Sequence, residues 1–419
     1  MVMKTFFKTI IKNSGYILIL SFALISCEEE APTKVYDGGS GTPAPKINSI
    51  EPADSVFSYV TVIKISGENF SASTDAVNGN RVYFNNRQGM IVSASSTEIN
   101  VLTPDISGDS LRIKIVSPPA IPIAEYYPYK IFPAEDKLEQ FNPLESVTAI
   151  ELDSEGNLYG FVTVALTGII YKITPDGNKT EYGTAAFPSA SDMKFAPGGY
   201  LYVQQSGSRN IHRINPGGGA AQVFISLPNN NDRMRYYDFD ENQILFAGGV
   251  RTGIFAINHQ SGIAKRVGNY GNHDIKSIRV YNGFVHVSAT YNGTNTTFPP
   301  EGIWKSQILS AGGDLGEPEV VFDWSVTGFQ AGALAGIPIT FSAAGDLFIG
   351  TDENNSVLIV HPDGSFEPLY PGFIEPTALQ IVWGNGKFLY QNRSNSDVSI
   401  KGIYKIYMDR LGSSYYGRQ

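Results

Sequence analysis

One cysteine in 419 residues excludes a disulfide framework, and a second thiol would be needed before a cysteine-ligated zinc site came into question. Charge is scarce as well: Asp, Glu, Lys and Arg together make up 17% of the chain, and the formal balance is −9. Positive charge is scarcer still once a leader carrying Lys4, Lys8 and Lys12 is removed, which leaves about −12. Duplex nucleic acid is therefore excluded as a natural partner. No Ser/His/Asp arrangement and no His-x-x-x-His spacing is visible. What is abundant is glycine, at 43, and proline, at 24, between short bursts of Val, Ile, Thr and Tyr. That composition rules out a helical bundle and implies many short strands joined by turns. The length exceeds one ordinary core, so two or three domains are expected.

Residues 1–27 have the parts of a secretory signal: Lys4, Lys8 and Lys12, an apolar run over residues 16–25 too short to span a bilayer well, and a small residue before Cys27. Leu24-Ile25-Ser26-Cys27 resembles the lipobox of bacterial lipoproteins. The resemblance implies that Cys27 is the lipidation site and the new amino terminus, its acyl chains anchoring the protein at about 0.8 kcal/mol per buried CH₂. Glu28-Glu29-Glu30 resembles the acidic export signal of Bacteroidetes lipoproteins, which implies the outer face of the outer membrane. Residues 28–45, with Asp37-Gly38-Gly39-Ser40-Gly41, carry no periodicity and are expected to be a flexible linker.

Residues 46–131 carry alternating segments at 60–65, 81–84, 90–92, 99–102 and 111–116, the pattern of a small β-sandwich. Ile47-Asn48-Ser49-Ile50-Glu51-Pro52, Ile65-Ser66-Gly67-Glu68-Asn69-Phe70, Val82-Tyr83-Phe84-Asn85, Ser95-Ser96-Thr97-Glu98-Ile99 and Thr103-Pro104 follow one another as in an IPT/TIG domain. The resemblance implies an immunoglobulin-like sandwich acting as spacer or interaction module. Gly67 is expected at a turn requiring positive φ, and Phe70 at one end of the core.

Residues 137–419 repeat. An aromatic-type position recurs at Tyr159, Tyr202, Phe246, His286, Phe348 and Tyr390, with separations of 43, 44, 40, 62 and 42 residues. A following strand recurs as Gly168-Ile169-Ile170-Tyr171, Gly253-Ile254-Phe255, Gly302-Ile303-Trp304 and Gly402-Ile403-Tyr404. A period of about 40–45 residues with four short strands per unit predicts a six-bladed β-propeller. Asp153-Ser154-Glu155-Gly156-Asn157-Leu158-Tyr159 resembles the NHL-type repeat. The whole is thus expected to be all-β, an immunoglobulin-like (IPT/TIG) sandwich followed by an NHL-like propeller. Two segments qualify to close the ring as the outermost strand of the sixth blade: Lys137-Leu138-Glu139-Gln140-Phe141 and Ser413-Ser414-Tyr415-Tyr416.

With blade strands named A to D from the centre outward, the A–B and C–D turns read as short, so function is expected on the opposite face. The long separation places extra length at 290–300, a B–C loop, and 323–338, a D–A loop. Candidate ligand-binding aromatics are Tyr291, Trp324 and Phe329 on those loops, with Tyr236 and Tyr237 before the third blade; aromatic faces stack on sugar C–H surfaces. Arg209, Arg251 and Arg393, each in a B–C loop, and Asn392 supply hydrogen bonds. Trp304, His212 and His286 fall in repeated slots and are expected in the core. No cofactor is expected unless Asp352-Glu353-Asn354 binds calcium through oxygen ligands, while Asp192 and Asp238, at inner strands, suit a calcium-dependent lactonase or hydrolase. The expected function is a non-catalytic surface lipoprotein that binds a polysaccharide or oligosaccharide beside an outer-membrane transporter, with a hydrolase or a protein-adhesion module as the alternatives.

Overall fold

The structure, a computed structural model, describes residues 41–418 except 76, 121, 329–336 and 352–355. Cys27, Phe329 and Asp352 lie outside the described residues. The chain divides into two units between Pro133 and Ala134. Among the described residues no helix is long and apolar enough to cross a membrane.

Period-two alternation builds the first unit. In Val62–Glu68 the buried positions are Ile63, Ile65 and Gly67, every second residue, so one face of the strand is apolar. That strand sits in a four-stranded sheet in the order Lys46–Glu51, Val62–Glu68, Glu98–Leu102, Met90–Ala94. A second sheet runs Ser55–Phe57, Ala124–Phe132, Gly108–Val116, Arg81–Phe84, Arg87–Gln88. Ile63, Ile65, Ile99 and Val101 from the first share one core with Val82, Phe84, Ile113 and Ile115 from the second, the packing of a sandwich. Gly67 corrects its expectation. It is a strand residue without positive φ. A Cβ there would lie 2.0 Å from the Lys46 carbonyl oxygen and 2.3 Å from Phe70 Cζ, so the glycine makes room for the Phe70 ring rather than for a turn.

The second unit consists of six sheets built on antiparallel meanders of strands consecutive in sequence, except that the outermost strand of the sixth comes from the start of the unit and Gly219–Ala220 adds a short parallel strand to the edge of the first. Their A strands are Val147–Leu152, Ala190–Ala196, Met234–Phe239, His273–Tyr281, Ile339–Phe341 and Ala378–Trp383. Each packs on the next and the last on the first, so the sheets are blades around one axis. The ring is closed from the amino-terminal side, but two residues earlier than the expected Lys137–Phe141 segment, of which only Lys137 belongs to the closing strand. Glu135–Lys137 pairs antiparallel with Gly402–Tyr407 as the D strand of blade 6, and the Leu138 N–H donates to the Ile403 carbonyl at 2.9 Å. Arg393, buried over the Tyr404 ring, holds the closing strand through Glu135.

Residues 412–418 do something else: they fill the centre of the ring. The Ser413 N–H donates to the Phe341 carbonyl at 2.9 Å, and the Tyr415 hydroxyl lies 2.9 Å from Thr340 Oγ1. Arg279 donates to the Ser414 carbonyl at 2.7 Å, and Arg418 donates to Glu151 at 2.7 Å and to the Trp383 carbonyl at 2.6 Å. Gly417 lies so close to the Phe195 carbonyl that a Cβ would sit 2.0 Å from its oxygen, and 3.0 Å from the Phe239 ring. Every A strand is thereby touched. Around this segment the A-strand residues opposite the repeated aromatic positions are Glu151, Lys194, Asp238, Arg279, Thr340 and Val382. Charge alternates through the first four blades, and neighbours pair: Lys194 with Glu151 at 3.4 Å, Arg279 with Asp238 at 2.7 Å.

Blade 4 buries two histidines. His273 is enclosed by the rings of Tyr270, Tyr291, Phe298 and Trp304, with neither ring nitrogen hydrogen-bonded among the described residues. His286 lies against Tyr281 and Phe341. Burial lowers His273 to about 4 and His286 to about 3. Below the unfolded value of about 6.5 the unfolded chain takes up protons that the folded one refuses, so stability present above pH 6.5 is lost as pH falls toward 4. We expect the urea-unfolding free energy to drop by about 1.4 kcal/mol per pH unit per histidine in that window. The His273→Leu variant should show a shallower slope; an unchanged slope would refute the assignment.

Candidate functional site

Five of the six A strands share one irregularity near their starts. In blades 1, 2, 3, 4 and 6 the A–B ladder skips one residue, leaving Thr148, Ser191, Arg235, Lys276 and Leu379 without a partner across the pair. A bulge of this kind re-aims a side chain. Thr148, Ser191, Arg235 and Leu379 line one cleft of about 490 Å³. It lies where the A strands begin, the end of the ring from which B–C and D–A connections emerge, with Ser206, Ser394 and Lys401 of two B–C connections and Asn392 at the end of a B strand in its wall. Lys276 instead pairs with Glu301 at 2.6 Å.

Hydroxyl and amide groups supply much of the polar part of the cleft, beside an apolar part that includes Phe141, Val147 and Leu379. Thr148 Oγ1 accepts the Ala190 N–H at 3.1 Å, and Ser191 Oγ donates to the Arg235 carbonyl at 2.8 Å, so the bulge residues also stitch adjacent blades. Gln380 accepts the Ile150 N–H at 2.7 Å through its carbonyl oxygen, and its amide nitrogen makes no bond among the described residues. Ser189 and Ser206 hydroxyls lie 3.3 Å apart. Tyr236 is a half-buried wall residue whose burial pushes its hydroxyl up to about 12. It remains a neutral phenol and a hydrogen-bond donor at physiological pH.

Three of the sequence-derived candidates, Tyr236, Asn392 and Arg393, meet in this cleft. Asn392 is nearly buried, its Nδ2 donating to the Val147 carbonyl at 3.1 Å. Arg393 is a strand residue bound to Glu135 rather than a loop residue. Tyr237 and Trp324 correct their expected exposure. Alternation along Met234–Phe239 turns Tyr237 into the interface of blades 2 and 3, where its N–H donates to Asp192 at 3.1 Å. Trp324 begins a short 3₁₀ turn, Trp324–Thr327, capped by Asp323, and is 1% exposed in the core of blades 4 and 5. Tyr291 folds back on its own loop, its hydroxyl accepting the Asn295 N–H at 3.1 Å. Arg209 donates to the Leu227 carbonyl at 2.8 Å, and Arg251 is exposed, 3.8 Å from Asp274; neither lines the cleft.

Asp192 and Asp238, weighed as metal ligands, are joints of the ring. Asp192 accepts from Lys194 at 2.9 Å and from Tyr237 of the next blade; Asp238 accepts from Arg279 at 2.7 Å and from the Val280 N–H of the next blade at 2.9 Å. Among the described residues no group of three or more His, Cys, Asp or Glu is placed to hold a metal ion. The turn face is also less uniform than expected, since residues 308–318 form a long C–D connection in blade 4.

Sequence reasoning missed Arg235, Thr148, Ser191 and Gln380. A signal existed: Thr148, Ser191, Arg235 and Leu379 each stand eleven residues before the repeated aromatic position of their blade, and Lys276 ten before.

The IPT/TIG domain model matches residues 45–125, and no curated protein sequence matches the chain. Among solved structures, the chain is similar to an auxiliary nutrient binding protein from Bacteroides thetaiotaomicron, at 11% identity and a TM-score of 0.48 over 89% of this chain and 99% of that one. It is similar to regucalcin, a calcium-binding protein from Agrobacterium tumefaciens, at 13% identity and a TM-score of 0.48 over 67% and 96%. Virginiamycin B lyase from Staphylococcus aureus gives 15% identity and a TM-score of 0.40 over 66% and 88%. Similarities of this size leave ligand and activity to be argued from the chain itself.

Proposed function

We propose that this all-β protein, an immunoglobulin-like (IPT/TIG) sandwich followed by a six-bladed propeller, is a non-catalytic binding lipoprotein of the cell surface. Cys27 carries the lipid anchor, the first unit serves as spacer, and the cleft at the loop-bearing end of the ring binds an oligosaccharide or polysaccharide for an outer-membrane transporter. The leader and lipobox residues support the anchor, and the acidic triplet after Cys27 supports the outer-membrane location. The observation that carries the binding reading is the cleft of about 490 Å³ walled by serine and threonine hydroxyls, side-chain amides and the half-buried Tyr236 ring. Sugars are bound by that combination: hydroxyls and amides exchange hydrogen bonds with sugar hydroxyls, and an aromatic face covers the C–H surface.

Affinity electrophoresis against a panel of neutral and acidic polysaccharides tests the reading. At least one should retard the wild-type protein, and Tyr236→Ala should weaken that interaction about tenfold, the equivalent of about 1.4 kcal/mol. Retardation by none of the panel would refute it. Unchanged binding by Tyr236→Ala would remove the cleft as the site.

A further inference from the structure

The charges in the cleft do not balance, and their imbalance runs against that of the chain. The whole protein carries a formal charge of −9. The cleft is lined by three cations, Arg235, Arg393 and Lys401, and by one carboxylate, Glu145. Glu145 is bound to Lys179 at 3.3 Å, and Arg393 is bound to Glu135. Arg235 and Lys401 make no side-chain hydrogen bond or ion pair among the described residues, although both line the cleft. Arg235 is moreover one of the five bulge residues, and the other cation among them, Lys276, is neutralised by Glu301. An extra residue in a strand is a specific backbone device, and here it delivers a guanidinium to the cleft without giving it a partner. A half-buried cation with no counter-charge is a cost to the folded protein, and a bound anion removes it. The guanidinium fork matches a planar carboxylate, and sulfate oxygens as well.

We propose that the ligand is an acidic saccharide, a chain bearing carboxylate or sulfate groups, with Arg235 as its principal anion contact and Lys401 as a second at the edge. This rests on the saccharide reading above and names the class of sugar.

Purified full-length protein is run in affinity gels containing polygalacturonate, dextran sulfate or neutral dextran, at low and at high salt, alongside Arg235→Gln and Lys401→Gln. The expected result is retardation by one or both acidic polymers, weaker at 0.5 M than at 0.05 M salt, because the screening length for exposed charges falls from about 14 Å to about 4 Å across that range. Arg235→Gln should weaken it at least tenfold and Lys401→Gln by less, with thermal midpoints no lower than wild type, because neither side chain loses a protein partner and an uncompensated cation is removed. Polygalacturonate alone would assign the anion as carboxylate, dextran sulfate alone as sulfate, and either supports the proposal. Retardation by dextran that ignores salt and Arg235→Gln would overturn the acidic class while leaving saccharide binding intact. Retardation by no polymer would overturn both.

Discussion

Truncation after Leu411 is expected to lower the thermal midpoint of the propeller by on the order of 10 °C. Residues 412–418 touch an A strand of every blade, so their loss opens the centre of the ring to water and leaves its charges incomplete. Glu151 is fully buried, and Arg418 donates to it at 2.7 Å; without Arg418, Glu151 retains only Lys194, at 3.4 Å, which also serves Asp192. Leaving a buried charge without its partner typically costs about 3–5 kcal/mol. The Tyr415 ring is also lost from between two guanidiniums, Arg279 at 3.7 Å and Arg418 at 4.0 Å from its centroid. Arg418→Met separates the polar from the packing contribution, because the methionine stem retains packing while the cation and its hydrogen bonds to Glu151 and the Trp383 carbonyl are lost. Calorimetry on the truncated and Arg418→Met proteins should show both destabilised, the truncation more. A midpoint within a degree of wild type for both would mean that the segment does not hold the ring.

Trp324→Ala should destabilise the protein by about 3–5 kcal/mol, as large-to-small changes of buried aromatics do. Its side chain packs with Ile303, Phe322, Ile337 and Ile339, all buried, and lies edge-on to Phe322 at 6.2 Å between centroids. A polysaccharide that binds wild type should bind the folded fraction of Trp324→Ala with unchanged affinity, since the indole is 1% exposed and does not line the cleft. Denaturant unfolding checks the first expectation and affinity electrophoresis at low temperature the second. Wild-type stability combined with lost binding would return Trp324 to the surface role its loop position suggested. Its apparent exposure in the sequence came from neighbours such as Asp323, Ser325 and Thr327, whose polarity belongs to the cap and turn rather than to the tryptophan.

Much of the architecture was legible because it is written locally and repeatedly. The recurrence of Tyr159, Tyr202, Phe246, His286, Phe348 and Tyr390 counts the blades, and a meander of antiparallel strands needs no long-range information beyond each turn. The alternation in Val62–Glu68 and Glu98–Leu102 likewise announces a sandwich. His286 and Trp304 were placed in the core because their repeat slots hold aromatic residues elsewhere, and both are buried.

The sequence by itself determined the class of fold and the number of blades, since those follow from period and strand polarity. Only the tertiary structure decided which segment closes the ring and that residues 412–418 occupy its centre, because either choice satisfies the local pattern and long-range pairing selects between them. It also decided that Arg235, rather than Arg209 or Arg251, faces the cleft unpaired. A one-residue slip in strand register reverses which face a side chain takes, and that slip is set by how neighbouring blades pack.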